Sequence, residues 1–101
     1  MKSFGEMVKQ AQKVQRQMSE LQEKFADERF EATAGGGMVK VVVDGKQRLR
    51  EIKISPEALK EQDITLLEDL ILTAMGEAQK TSEDAMQESI AKVTGGLKLP
   101  F

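Results

Sequence analysis

The sequence predicts an α+β subunit in which a long N-terminal helix, a three-stranded antiparallel sheet, a short helical turn and a long C-terminal helix follow one another. Apolar residues recur at steps of three and four near both ends of the chain, alternate with polar residues in the middle, and are separated by glycines. We therefore expect a single domain, 1–101, with a helix at 3–27, strands within 28–54, a helix at 65–94 and a flexible tail at 95–101.

The first helix is predicted from an apolar seam with heptad spacing. The seam comprises Phe4, Met7, Ala11, Val14, Met18, Leu21 and Phe25. The residues between them are mostly glutamine, lysine, arginine and glutamate, which are good helix formers. The helix should run from about Ser3 to Asp27.

The central segment changes to the two-residue period of β-strands. Apolar residues occupy every second position, first at Phe30, Ala32 and Ala34 and then at Val39, Val41 and Val43, so each set would share one face of a strand. The glycines at 35–37 should form the first hairpin turn. The dipeptide at 44–45, Asp-Gly, predicts a two-residue type I′ turn, and a third strand should follow at about 47–54.

The C-terminal helix is predicted from spacing and capping signals. Ser55 and Pro56 should start a short helical turn that ends near Lys60. Thr65 and Glu68 have the spacing of a capping box, and helical periodicity then continues as far as Gly95. The predicted helix is about thirty residues long.

The lengths of the two helices predict a homodimer. At 1.5 Å per residue they would span roughly 37 and 45 Å, whereas a compact chain of this size has a radius of gyration near 13 Å. A three-stranded sheet would leave part of each apolar stripe uncovered, and the apolar tail residues Leu97, Leu99 and Phe101 would be available to dock on a partner subunit. The residues expected in the core or dimer seam are Met7, Val14, Met18, Leu21, Val39, Val41, Val43, Leu67 and Ile71.

The composition argues against an enzyme. The chain has neither cysteine nor histidine, and therefore lacks the commonest metal ligands and the commonest general base near neutral pH. We expect no catalytic site, metal, cofactor or small-molecule substrate. No stretch approaches 18 consecutive apolar residues and no signal-peptide pattern is found, so we expect no membrane association and a cytoplasmic location.

Charge is unevenly distributed, although the net charge is only −2. Residues 1–26 hold five basic and three acidic side chains, and residues 38–54 hold five and two. In contrast, residues 55–94 hold three basic and nine acidic side chains. One part of the molecule is therefore basic and another acidic.

A short basic stripe is predicted on the first helix. Lys9, Lys13 and Arg16 stand at i, i+4 and i+7, which places them on one face, and flexible cations at this spacing reach phosphates. The third strand offers Arg48, Arg50 and Lys53 as secondary candidates. The alternative interpretation is that the stripe is an ordinary solvated helix surface.

Several segments together resemble the YbaB/EbfC family of nucleoid-associated DNA-binding proteins. The resemblance covers nearly the whole chain, and its segments are 7–15, 34–41, Asp44-Gly45, 52–56, 66–71 and 99–101. The Gly-Gly-Gly-Met-Val element and the Leu-Leu-Glu-Asp-Leu run are its most specific parts.

The resemblance implies a bacterial homodimer shaped like tweezers that binds duplex DNA with weak or broad sequence preference. It further implies nucleoid association and a role in transcription regulation or chromosome organisation. The alternative is a protein-interaction adaptor whose projecting helices grip another protein through apolar residues.

Overall fold

The computed structural model describes residues 3–60 and 62–95, which form three helices and three strands. These are α1 (Phe4–Ala26), β1 (Arg29–Ala34), β2 (Val39–Asp44), β3 (Leu49–Ile54), α2 (Pro56–Lys60) and α3 (Ile64–Thr94). The predicted α+β order of elements is confirmed. The predicted tail beyond Gly95, with its docking residues, lies outside the described residues.

The strands form one antiparallel sheet in the order β1-β2-β3. β1 pairs with β2 without interruption, from Arg29 opposite Asp44 to Ala34 opposite Val39. Between β2 and β3 the register shifts once: Val42 is opposite Glu51 but Val43 is opposite Leu49. Arg50 is therefore the extra residue of a β-bulge in an edge strand.

The core lies between β1, β2 and the first two-thirds of α3. Val39, Val41 and Val43 are completely buried, as are Ala74 and Ala78 on the helix. Because alanines face the sheet at successive turns, the helix axis can lie close to the strands. Leu67, Leu70 and Ile71 are half-buried and complete this core.

The molecule extends far beyond its sheet. Its principal extents are 68 × 24 × 16 Å and its radius of gyration is 19.6 Å, well above the value of about 13 Å for a compact chain of this length. α1 packs against α3. We call α1 together with residues 83–94 of α3 the arm, and the rest of the described chain the sheet body.

The arm joins the sheet body at the β2–β3 turn. The carbonyl oxygen of Phe25, at the end of α1, accepts a hydrogen bond of 2.9 Å from the Gly45 N–H. Ser82 of α3 donates its hydroxyl to the Asp44 carbonyl oxygen, 3.0 Å away. Since α1 approaches this turn and α3 leaves it, the two helices run antiparallel in the arm.

Two local predictions were wrong. α3 is capped by Asp63, whose side chain accepts from the Leu66 N–H at 3.0 Å, and Thr65 lies inside the helix. The second turn is not type I′, because that turn requires two consecutive residues with positive φ and only Gln47 has one, at 65°. The loop holds three residues between Asp44 and Arg48, whose backbones pair.

Candidate nucleic-acid interface

The three predicted cations of α1 lie on the outer part of the arm. Lys9, Lys13 and Arg16 are exposed, and none forms a salt bridge within residues 3–60 and 62–95. They span two helical turns, roughly 10 Å, on one side of α1. The side that packs on α3 is different, because Val14, Met18 and Leu21 are half-buried there.

Acidic residues bound this basic stripe. Glu20, one turn beyond Arg16, continues the same helical face towards the sheet body and is exposed. The α3 part of the arm exposes Glu83, Asp84 and Glu88. Positive potential is therefore concentrated on the outer half of α1 and does not extend along the whole arm.

The cations of β3 and of Arg48, the residue before it, are arranged differently, because each is already paired. Arg48 and Arg50 both place Nε 2.9 Å from Oδ2 of Asp44. Lys53 lies 3.3 Å from a carboxylate oxygen of Glu51. Of the six cations predicted from the sequence, the three on the arm form no salt bridge in the described chain. The three at the sheet each form one.

Asp44 contacts two of the six predicted cations, although its place in the sequence predicts only a turn. Its side chain is completely buried. Burial alone would raise the pKa of the Asp44 carboxyl, but hydrogen bonds from the Arg48 and Lys46 backbone N–H groups and from the side chains of Arg48 and Arg50 hold that pKa well below its usual range. Asp44 is therefore ionised at neutral pH.

The seam residues occupy three environments. Val39, Val41 and Val43 lie in the core, while Leu67 and Ile71 are half-buried beside it. Met7 is exposed on the arm, as are the neighbouring seam residues Phe4 and Ala11. In the single chain, α3 covers only the half of the α1 seam nearest the sheet.

A second apolar area is exposed on β3. Ile52 and Ile54 stand opposite Val41 and Val39, so they share the face on which α3 packs. α3 covers chiefly β1 and β2, and every residue of β3 is exposed. Leu59 and Ile64, at 61% and 75% exposure, lie further along the chain and line a shallow pocket with Leu67.

The described part of the chain offers no support for two other kinds of site. No group of three or more acidic side chains is arranged to hold a metal ion there. No helix among those residues is both long and apolar enough to cross a bilayer. Asp63, an acid at the start of α3, acts as the helix cap.

The fold and the unpaired cations define a small α+β protein whose most distinctive surface is a projecting helical arm. The model of the YbaB/EbfC DNA-binding family matches residues 1–97. A nucleoid-associated protein of Clostridium kluyveri is 44% identical over 98 residues, covering 97% of this chain and 86% of that protein. Another, from Gemmatimonas aurantiaca, is 46% identical over 95 residues, covering 94% and 91%.

A solved structure has the same fold. The crystal structure of an uncharacterized protein from Helicobacter pylori aligns with a TM-score of 0.79 and 23% sequence identity, covering 87% of this chain and 92% of that one. The chain belongs to the YbaB/EbfC DNA-binding family. The resemblance seen in the sequence is confirmed, and this is a family of DNA-binding proteins, not of enzymes.

Proposed function

We propose that this protein is a homodimer that binds duplex DNA with weak or broad sequence preference and influences gene expression or chromosome organisation in the cytoplasmic nucleoid. The observation that carries the proposal is the arm, on which Lys9, Lys13 and Arg16 stand exposed and without salt bridges in the described chain. The relatives named nucleoid-associated proteins support the same location and role.

The binding mode follows from the chemistry of the stripe. Lysine and arginine on an exposed helix neutralise phosphates and release condensed counterions, which gives affinity that depends on salt more than on base sequence. The three side chains of the stripe are exposed and held by no salt bridge in the described chain, whereas reading bases requires side chains fixed against their edges. Weak sequence preference is the expected consequence.

The homodimer is supported by the uncovered half of the sheet. Leu49, Ile52 and Ile54 are 50%, 40% and 39% exposed on the same face as the buried valines. β3 is also an edge strand, and a second copy of the chain packed there would cover both the apolar side chains and the strand edge. Two arms would then project from one body, doubling the number of cations.

The experiment is a fluorescence anisotropy titration of two unrelated duplexes at several salt concentrations. Replacing Lys9, Lys13 and Arg16 together by glutamine should weaken binding at low salt by about tenfold or more and flatten the dependence of affinity on salt. The matched control replaces Arg29, Lys60 and Lys80 by glutamine, which removes the same charge from exposed positions of the sheet body. Equal losses in both variants would show that net charge, not the arm, determines affinity.

Dimerisation is tested separately by sedimentation equilibrium. Ile52→Asp places a charge within the proposed interface and should yield monomers at concentrations where the wild type is dimeric. Thr33→Asp, on the opposite face of the sheet, is the control and should remain dimeric. A wild-type protein that is monomeric at micromolar concentration would contradict the homodimer.

One observation favours the adaptor alternative. The arm also exposes Phe4, Met7 and Val8, with Phe4 at 81%, and apolar residues at helical spacing suit the groove of a protein partner. If the adaptor is correct, wild-type protein will show no duplex binding at low salt, and Phe4→Ala will change partner binding while the triple glutamine variant will not.

A further inference from the structure

The group formed by Asp44, Arg48 and Arg50 carries an inference beyond general DNA binding. Oδ1 of Asp44 accepts the Lys46 N–H at 2.8 Å and the Arg48 N–H at 3.0 Å, while Oδ2 accepts both arginine Nε–H groups at 2.9 Å. The carboxylate therefore fixes the turn with one oxygen and orients two side chains with the other.

The two guanidinium groups are held close together. Because both Nε atoms contact one oxygen, they lie no farther apart than two hydrogen-bond lengths. Two cations face one carboxylate, so one positive charge of the group is unbalanced. Like charges at such a distance repel, and a second anion beside them would relieve that repulsion.

The outer nitrogens of both arginines are available to a ligand. Each arginine uses only Nε on Asp44, and no other hydrogen bond to either side chain is found in residues 3–60 and 62–95. The side chains remain 57% and 40% exposed. The four Nη–H donors of each guanidinium are thus free to bind a planar or tetrahedral oxyanion.

The local backbone explains why both arginines reach one acid. Gln47, in the left-handed region, closes the loop, and the bulge at Arg50 shifts the register of β3 by one residue. A bulge commonly redirects a side chain in this way. The arrangement is set by main-chain geometry and does not depend on the chance meeting of two flexible side chains.

We propose that Arg48 and Arg50 act together as one binding site for a single backbone phosphate of a nucleic acid, with Asp44 as the positioning residue that holds the pair in place. This inference rests on the proposed function. It differs from treating the two arginines as separate secondary contacts, because both would neutralise the same phosphate.

The substitution Asp44→Asn should change duplex affinity in opposite directions depending on whether Asp44 is purely structural or positions the two arginines. Asp44→Asn removes a negative charge, so if Asp44 only balances two surface arginines, the more positive protein should bind DNA more tightly. If Asp44 positions the pair, the single amide oxygen of asparagine cannot accept the two backbone N–H groups and both Nε–H groups at once, and duplex affinity should fall on the order of fivefold despite the added positive charge. Unchanged or tighter binding by a folded Asp44→Asn variant overturns the proposal.

A second measurement needs no variant and keeps the test decisive if Asp44→Asn does not fold. Wild-type protein is titrated with inorganic phosphate, and the ¹H–¹⁵N correlations of the arginine Nε groups are followed by NMR. Arg48 and Arg50 should shift together with one midpoint, at lower phosphate than Arg16 and Arg29. Separate midpoints, or shifts no larger than those of the two control arginines, overturn the proposal.

The salt dependence of duplex binding gives a third criterion. Replacing both Arg48 and Arg50 by glutamine should reduce the slope of log affinity against log salt by about one per chain, the value for one phosphate. A reduction of about two would indicate two independent contacts, and no reduction would indicate a structural pair; both results overturn the proposal.

These measurements distinguish failure of the proposed DNA-binding function from failure of the proposed arginine site. If the wild type binds no duplex at low salt, the proposed function fails, while the phosphate titration still reports on the arginine pair. If the wild type binds duplex but the phosphate titration shows no common site, the pair fails and the arm stripe remains the interface.

Discussion

In the sheet body, three valines of β2 are completely inaccessible to solvent, whereas α1, with 23 residues, has only Phe25 buried. The body is stabilised by side chains packed between a sheet and a helix. The arm relies on one half-covered seam and on the anchor of α1 at the β2–β3 turn. The difference separates two features of the chain: the contacts that stabilise the fold lie in the body, and the predicted cation stripe lies on the arm.

The strongest test of this comparison is at the junction. A Cβ at Gly45 would overlap the carbonyl oxygen and the Cβ of Phe25. Gly45→Ala should therefore lower the free energy of unfolding by about 3 kcal/mol or more, because backbone on both sides must move. Gly76→Ala is the control: it meets open space on α3 and should stabilise by about 0.5–1 kcal/mol. Urea denaturation measures both, and equal effects would refute the close approach.

Replacing valine by alanine should lower the free energy of unfolding by different amounts in the sheet body and in the arm. Val41→Ala removes two buried methyl groups and should cost about 2 kcal/mol. Val14→Ala on the arm should change the free energy of unfolding by less than about 0.5 kcal/mol, since it loses partial burial but gains helix propensity. Comparable losses at both positions would mean that the arm is packed as tightly as the body.

A smaller effect is expected for the hydrogen bond that ties α3 to the turn. Ser82→Ala removes one of the two donors to the Asp44 carbonyl oxygen, which keeps its hydrogen bond from the Gln47 N–H, and should cost about 1 kcal/mol. Thr81→Ala, whose hydroxyl bonds its own helix at an exposed position, should be within about 0.5 kcal/mol of wild type. Thermal unfolding of the two variants measures the difference in stability. A difference near zero would show that the hydrogen bond from Ser82 to Asp44 does not stabilise the contact between α3 and the turn.

A further prediction concerns pH. Because the folded protein lowers the pKa of Asp44, its ionised form contributes stability above the pKa of the unfolded chain, about 3.9, and that contribution is lost as pH falls further. The difference in urea midpoint between wild type and Asp44→Asn should be constant from pH 8 to about 5 and shrink below about pH 4. A difference that grows on acidification would contradict the assigned direction.

The sequence specified the elements well because their signals are periodic. The seam from Val14 to Phe25 and the alternation of Val39, Val41 and Val43 each repeat over several residues, so one exception does not change the prediction. Capping and turns depend on single residues. Asp63 and Thr65 both suit a helix start, and only the observed hydrogen bond distinguishes them.

The candidate site was less predictable for a similar reason. The stripe on α1 follows from helical spacing alone, so its exposure on one face was foreseeable. The pairing of Asp44 with two arginines depends on Gln47 with positive φ and on a bulge, neither of which leaves a periodic signal. The Asp-Gly pair predicted a turn, but in this protein Gly45 allows the backbone of Phe25 to approach.

The length of α1 beyond its anchor at Gly45 would magnify any change in its direction. Lys9 is sixteen residues from Phe25, roughly 24 Å along the helix axis. A tilt of α1 by about 10° about this anchor would move Lys9 by about 4 Å, while Arg48 and Arg50, which lie beside the anchor, would scarcely move. In the proposed complex, a small tilt of α1 would therefore shift the stripe along a polyanion while the proposed arginine site stays in place.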